Sequence, residues 1–265
     1  MNYEATCKKV IDIALQTSEF ISSEARKFSL DNVEVKGLHN FVSYVDKGSE
    51  ERIVEGLHKL VPEAGFIAEE GTRGYNNEQL KWVIDPLDGT TNFIHGLPVY
   101  SISIALMDGD HTVLGVVHEV NLKETFYAWK DSKAYLNERP IRVSTASSVK
   151  DSLIAAGFPY YDFHKMHAYL DSLEFILKNS HGARRLGSAA ADLAYVACGR
   201  FEAFYEYSLK PWDVAAGAFI VEQAGGKISD FSGGKNHIFG EELIASNSLI
   251  FDEFFAIASK YLGKK

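Results

Sequence analysis

The stretch Trp82–Gly96, WVIDPLDGTTNFIHG, drives a short apolar run into two aspartates, Asp85 and Asp88, and then straight into Gly89-Thr90-Thr91. A short apolar run of this kind reads as a strand, so both carboxylates fall at its end. Pro86 stiffens the link between them and lets both side chains address one place beyond the strand. Two unpaired carboxylates held close repel and raise one another's pKa. A divalent cation removes that penalty, and hard oxygen donors suit Mg²⁺. Glycine permits close backbone approach, and a helix that begins at Gly89 offers free N–H groups to an anion. Cation ligands followed at once by an anion site describe metal-dependent phosphoryl chemistry.

Two further acidic places accompany this one. Glu69-Glu70 closes the short apolar run GFIAEEG, and Asp213 stands in PWD at the start of a helix. Taken singly, each also fits a solvated strand end or a helix cap. No His-rich or Cys-rich cluster suggests zinc.

The rest of the chain sets the frame. Its 265 residues are 46% hydrophobic and 24% charged, the balance of a globular protein with a large core. A formal net charge of -9 argues against nucleic acid as a general partner, which needs an excess of Lys and Arg. Cys7 and Cys198 are too few for a disulfide framework and read as reduced thiols. Charges interrupt the N-terminal region before a signal-type core forms, and the uncharged run Gly89–Met107 carries Asn92, Gly96 and Pro98. The expectation is a cytoplasmic protein without a membrane span.

Residues 3–28 carry Val10, Ile13, Ala14, Thr17, Phe20 and Ile21 at helical spacings, and a second helix is expected over Lys47–Leu60. The period then changes. YSISIALM and TVLGVVHEV flank Asp108-Gly109-Asp110 as a hairpin, and ETFYAWK and KAYLNERPIRVS continue an antiparallel meander. From Asp151 onward strands and helices alternate, ending in a helix from Phe251 to about Leu262, which suggests an α/β half. The expected organisation is residues 1–145, helices plus antiparallel sheet with most metal ligands, and residues 146–265, an α/β half with Asp213 and substrate contacts. No internal repeat accompanies Trp212-Asp213, which rules out a propeller blade, and no low-complexity linker separates the halves.

WVIDPLDGTTNF, GFIAEE and WDVAAGAFIVEQAGG occur in the order and at the separations of the inositol monophosphatase family, which the chain resembles over nearly its whole length, GSAAADLAYVACGRFEAFYE included. The resemblance implies a layered αβαβα sandwich, a homodimer, hydrolysis of phosphate monoesters with two or three Mg²⁺ ions, and inhibition by Li⁺. It implies metal ligation by Glu69, Asp85, the carbonyl of Leu87, Asp88 and Asp213, with Glu70 behind them. Phosphate is expected on the N–H groups of Gly89 and Thr90 and on the Thr90 hydroxyl. The attacking water is expected near Glu69 and Thr90, with Asp46 against that threonine; the departing alkoxide takes its proton from water near Asp88 and Asp213. Asp88, Gly187, Ser188, Ala189 and Glu206 match positions that contact the alcohol, and Lys36 matches a lysine of a loop near the metals. Asn40 departs from the family, many of whose members carry aspartate there. The expected substrate is myo-inositol monophosphate. NADP, fructose 1,6-bisphosphate, 3′-phosphoadenosine phosphate and histidinol phosphate are alternatives, as is a regulatory binding protein. The partners implied are a small phosphorylated substrate and a second copy, not nucleic acid or membrane.

Overall fold

The first helix, α1 (Tyr3–Ala25), is capped by the Asn2 side chain, which accepts from the Ala5 N–H at 3.1 Å. Its buried stripe includes Cys7, Val10, Ala14 and Ile21, at three-, four- and seven-residue spacings. The computed structural model describes residues 1–28, 33–37, 40–71, 78–159 and 162–263, with 33–37 and 40–42 described by backbone alone. Strands β1 (Val33–Gly37) and β2 (Asn40–Ser43) pair antiparallel ahead of α2 (Tyr44–Leu60). The expected roles of the Lys36 and Asn40 side chains therefore lie outside the described residues.

Helix α2 begins three residues earlier than the apolar pattern suggested. Ser43 is its cap: the Ser43 hydroxyl accepts from Val45 N–H at 3.1 Å, and Asp46 accepts from Ser43 N–H at 2.8 Å. This reciprocal capping box carries Asp46 inside the first turn.

The larger sheet runs in the order β3 (Gly65–Ala68), β4 (Leu80–Asp88), β5 (Ser101–Asp108), β6 (His111–Glu119), β7 (Glu124–Trp129), β8 (Ala134–Leu136), β9 (Arg139–Ile141). It is not wholly antiparallel as expected, because β3 pairs parallel with β4. As expected, both carboxylates fall at the end of β4, whose register with β5 shifts between Asp85, opposite Ser103, and Asp88, opposite Ser101. That irregularity is where Pro86 sits, a residue that cannot donate to a ladder.

The smaller sheet runs β11 (Ala183–Arg184), β10 (Ile154–Ala156), β12 (Ala203–Tyr207), β14 (Glu242–Asn247), β13 (Gly226–Ser229). Here β10 is parallel to both neighbours, and the remaining pairs are antiparallel. Helices α5 (Ala189–Ala197) and α6 (Pro211–Gln223) lie between the sheets, and α4 (Met166–Asn179) and α7 (Phe251–Leu262) cover the outer face of the smaller one.

Strand alternation builds these layers. On β4, Trp82 and Ile84 join the core under α1 and α2, while Val83 joins the middle layer. On β12, Phe204 faces the middle layer, while Ala203, Tyr205 and Tyr207 face α4 and α7. Every residue of α5 is buried, as a helix between two sheets must be. Helices α5 and α6 approach so closely that a Cβ on Gly217 would stand 2.6 Å from Leu193 Cβ. The result is the layered αβαβα sandwich.

Candidate active site

Strand β4 delivers Asp85 and Asp88 to one end of the larger sheet, and a short helix, α3 (Thr90–Ile94), starts at once. Gly89 makes the turn with φ +97°, the left-handed region that favours glycine. Its missing side chain also matters, since a Cβ there would stand 3.0 Å from the Val99 carbonyl oxygen. The first intrahelical donor of α3 is Phe93 N–H, to Gly89 O at 3.0 Å. The N–H groups of Thr90 and Thr91 precede it and have no acceptor within the helix.

The Thr90 hydroxyl is 3.0 Å from Asp46 Oδ1 and 3.1 Å from the Leu87 carbonyl, and donates its one proton to either. The other Asp46 oxygen accepts from the Ser43 backbone and hydroxyl, at 2.8 and 2.6 Å. The capping box of α2 thus fixes the carboxylate that faces Thr90. Burial pushes the Asp46 carboxyl up, against the pull of those hydrogen bonds.

Glu69 follows β3 and reaches the same place. The Glu70 N–H donates to the buried Glu50 Oε2 at 2.7 Å, which ties this turn to α2. Asp213 comes from the first turn of α6, where Lys210 N–H donates to its Oδ2 at 2.6 Å. Asp88 Oδ2 accepts from the Ser188 hydroxyl at 2.6 Å and the Ala190 N–H at 2.7 Å, joining β4 to the start of α5. Asp85 Oδ1 accepts from the Leu87 N–H at 2.9 Å.

Together these residues line a cleft of about 470 Å³ between the two sheets. Glu69, Asp85, Leu87, Asp88, Gly89, Thr90, Gly187, Ser188, Ala189, Glu206 and Asp213 all belong to its wall. Asp46 stands behind Thr90, and Glu70 enters through its backbone rather than as part of the wall. Sequence reasoning missed Asp192, Lys210 and Trp212, which also line the cleft; Gly157 and Arg185 line it too, from the segments 157–166 and 181–188 that were expected to set specificity without either residue being singled out. Gly157 carried a readable signal only in part: GF ends a strand, but nothing local reveals that a Cβ there would overlap the Glu206 carboxylate.

The electrostatics of the cleft are dominated by its carboxylates. Burial raises Asp88 to about 6 and Asp213 to about 7, with Asp88 adding repulsion at Asp213. Burial, then the charges of Asp213 and Glu70, lifts Glu69 well above the usual carboxylate range; burial, Glu69 and Asp88 do the same to Asp85. The Arg185 charge at Asp88 and the Lys210 charge at Asp213 pull the other way, but burial outweighs them. Among the described residues no group of three or more His, Cys, Asp and Glu side chains is already drawn into a cation-holding arrangement. Asp85, Asp88 and Asp213 each accept from a backbone N–H, and the Asp85 and Asp213 carboxyls come within hydrogen-bonding reach of one another. The donor chemistry fits a hard divalent cation: carboxylate oxygens, desolvated and crowded together.

The fold and cleft define a layered α/β protein with an acidic cleft between its sheets. The chain belongs to the inositol monophosphatase family, whose model matches residues 3–262. It is 40% identical over 237 residues to a putative Nus factor SuhB from Neisseria meningitidis serogroup B, covering 88% of this chain and 91% of that protein. It is also 40% identical over 232 residues to a fructose-1,6-bisphosphatase/inositol-1-monophosphatase from Thermotoga maritima, covering 87% of this chain and 88% of that one. A crystal structure of extragenic suppressor protein SuhB from Bartonella henselae superposes with a TM-score of 0.90 at 34% identity, covering 97% of this chain and 99% of that chain. Family membership supports phosphatase chemistry. Among the described residues no helix is long and apolar enough to cross a membrane.

Proposed function

We propose that this chain hydrolyses phosphate monoesters with Mg²⁺, and that its substrate is a myo-inositol monophosphate. The observation that carries this reading is the meeting of Glu69, Asp85, Asp88 and Asp213 with the Gly89-Thr90 turn in one cleft. Glu69, Asp85, the Leu87 carbonyl, Asp88 and Asp213 would hold the cations. When bound, Mg²⁺ supplies positive charge that polarises the phosphate and lowers the pKa of water.

The chain's own groups do the rest. The N–H groups of Gly89 and Thr90 orient the phosphate oxygens at the turn. Thr90 and Asp46, 3.0 Å apart, form a proton path: a water beside Thr90 passes its proton to the hydroxyl, which passes its own to Asp46. Asp46 suits that task because burial raises its affinity for a proton. Asp88, Gly187, Ser188, Ala189 and Glu206 face the alcohol, and no side chain serves as a covalent nucleophile. Residues 1–145 bring most of the carboxylates, and residues 146–265 bring Asp213 and the alcohol-facing wall. A homodimer, inhibition by Li⁺ and a cytoplasmic address belong to the same reading, on the strength of the family.

The substrate is tested by ranking kcat/KM over myo-inositol 1-phosphate, fructose 1,6-bisphosphate, 3′-phosphoadenosine phosphate, NADP and histidinol phosphate. Myo-inositol 1-phosphate is expected first; a different leader would overturn the substrate and leave the chemistry.

The relative from Neisseria meningitidis, named as a Nus factor, favours a second reading, a regulatory role with transcription partners. Pulldown from cell extract tests it. Retained polymerase or ribosomal proteins would support it, and their absence would count against it.

A further inference from the structure

Asp192 lies on α5, one turn past the Ser188 cap, and is 1% exposed. Its Oδ1 is buried without a hydrogen-bond partner among the described residues, yet the side chain lines the cleft. Native proteins rarely leave a buried carboxylate oxygen without a donor. The local donors are already spent. Ala190 N–H goes to Asp88 Oδ2, Ala191 N–H to the Ser188 hydroxyl, and Asp192 N–H to the Ser188 carbonyl. The positive end of α5 favours a negative charge in this turn but supplies no proton to Oδ1.

Asp192 has a companion. Alternation on β12 turns Phe204 into the middle layer, so Glu206, two residues on, faces that layer as well. Glu206 is 7% exposed and lines the same cleft. Burial lifts both carboxyls well above the usual carboxylate range; the charge of Asp88 adds to this at Asp192, and those of Asp192 and Asp213 add at Glu206, with Arg185 as the opposing cation. The cleft therefore presents two ionisable oxygen-bearing groups in a nearly dry setting, on α5 and β12. An alcohol rich in hydroxyl donors satisfies them; an apolar alcohol leaves them unpaired.

We propose that Asp192 is a specificity-determining residue whose buried carboxylate accepts hydrogen bonds from the hydroxyls of a polyhydroxylated alcohol, beside Glu206. This rests on the phosphatase reading above. Asp192 selects the alcohol, while the Gly89-Thr90 turn holds the phosphate.

The test compares wild type, Asp192→Leu and Asp192→Asn on myo-inositol 1-phosphate and on 4-nitrophenyl phosphate, which has no hydroxyls, with Mg²⁺ titrated in each case. In Asp192→Leu the ratio of kcat/KM between the two esters falls roughly tenfold, mainly through KM for the inositol ester, because a hydrogen bond to a buried acceptor is lost. Asp192→Asn keeps one acceptor and recovers part of the ratio, which also covers the case of a leucine variant that fails to fold. The melting temperature of Asp192→Leu does not fall, since the substitution removes a buried oxygen that lacks a donor. An unchanged ratio in both variants would overturn the proposal, as would a shift confined to the Mg²⁺ requirement. Wild type that prefers 4-nitrophenyl phosphate also defeats it while sparing the phosphatase reading. Wild type that hydrolyses neither ester defeats both.

Discussion

At Asp88 one carboxylate serves two purposes. One oxygen is committed to Ser188 and Ala190, which locks β4 to α5, and the side chain also lines the cleft. Asp88→Asn keeps the shape and removes the charge, so kcat should fall roughly hundredfold or more, by analogy with losing one electrostatic contact to a transition state. Steady-state kinetics at saturating Mg²⁺ checks this, and near wild-type turnover would contradict the assignment. Thr90→Ala removes the link to Asp46 and should lower kcat by about hundredfold, within the range for general acid–base catalysis. Its Mg²⁺ requirement should change less than that of Asp88→Asn, which a metal titration of the two variants would reveal. The carboxylates of the cleft were legible because each ends a short apolar run or opens a helix. Asp192 was not, because AAADLAYVACG reads as one apolar helix with a lone acid in its first turn. Only the packing of α5 between two sheets makes that acid buried. Glu50 was hidden for the same reason: a glutamate on an amphipathic helix looks solvated until the Glu70 N–H is found against it.

Elements were easier to read than their boundaries and pairings. The apolar periodicity located α1, α2, α6 and α7, yet α2 starts at Tyr44 because Ser43 and Asp46 cap one another, a signal independent of the hydrophobic stripe. Parallel pairing of β3 with β4 is set by the path of the intervening chain and leaves no mark in either strand. KAYLNERPIRVS forms two short strands, not one. Asn137 and Glu138 both take positive φ, 45° and 69°, and so make a hairpin turn without the usual glycine. The contact of α5 with α6 yields a prediction at this scale. Gly217→Ala places a Cβ 2.6 Å from Leu193 Cβ, and the overpacking should cost about 1–3 kcal/mol. Denaturant unfolding of the full chain would measure it, and a midpoint equal to wild type would show that the helices yield.

For the whole molecule, the acidic cleft couples folding to protons and cations. Asp88 and Asp213 keep protons up to about pH 6 and 7, whereas the unfolded chain releases them near 3.8. The folded state thus binds more protons across that window, so these groups make the metal-free protein less stable as pH rises from about 4 to 7. Thermal melts in EDTA should show a falling midpoint over that range. Mg²⁺ should raise the midpoint more near pH 7.5 than near pH 5, because it binds the deprotonated carboxylates. A Mg²⁺ shift independent of pH would contradict this coupling. The layered sandwich was anticipated from the family resemblance that the motifs carry, whereas the alternation of strands and helices after Asp151 suggested only an α/β half. The depth of burial at the cleft was not anticipated, because it arises only where the two sheets face one another across α5 and α6.

The central claim is tested most directly by phosphate release from myo-inositol 1-phosphate, measured for the purified chain with Mg²⁺, after EDTA treatment, and for Glu69→Gln. The predicted result is turnover with Mg²⁺, loss to background in EDTA, and a rate lower by roughly hundredfold or more in Glu69→Gln. Release that is indifferent to EDTA, or a Glu69→Gln rate equal to wild type, would contradict it.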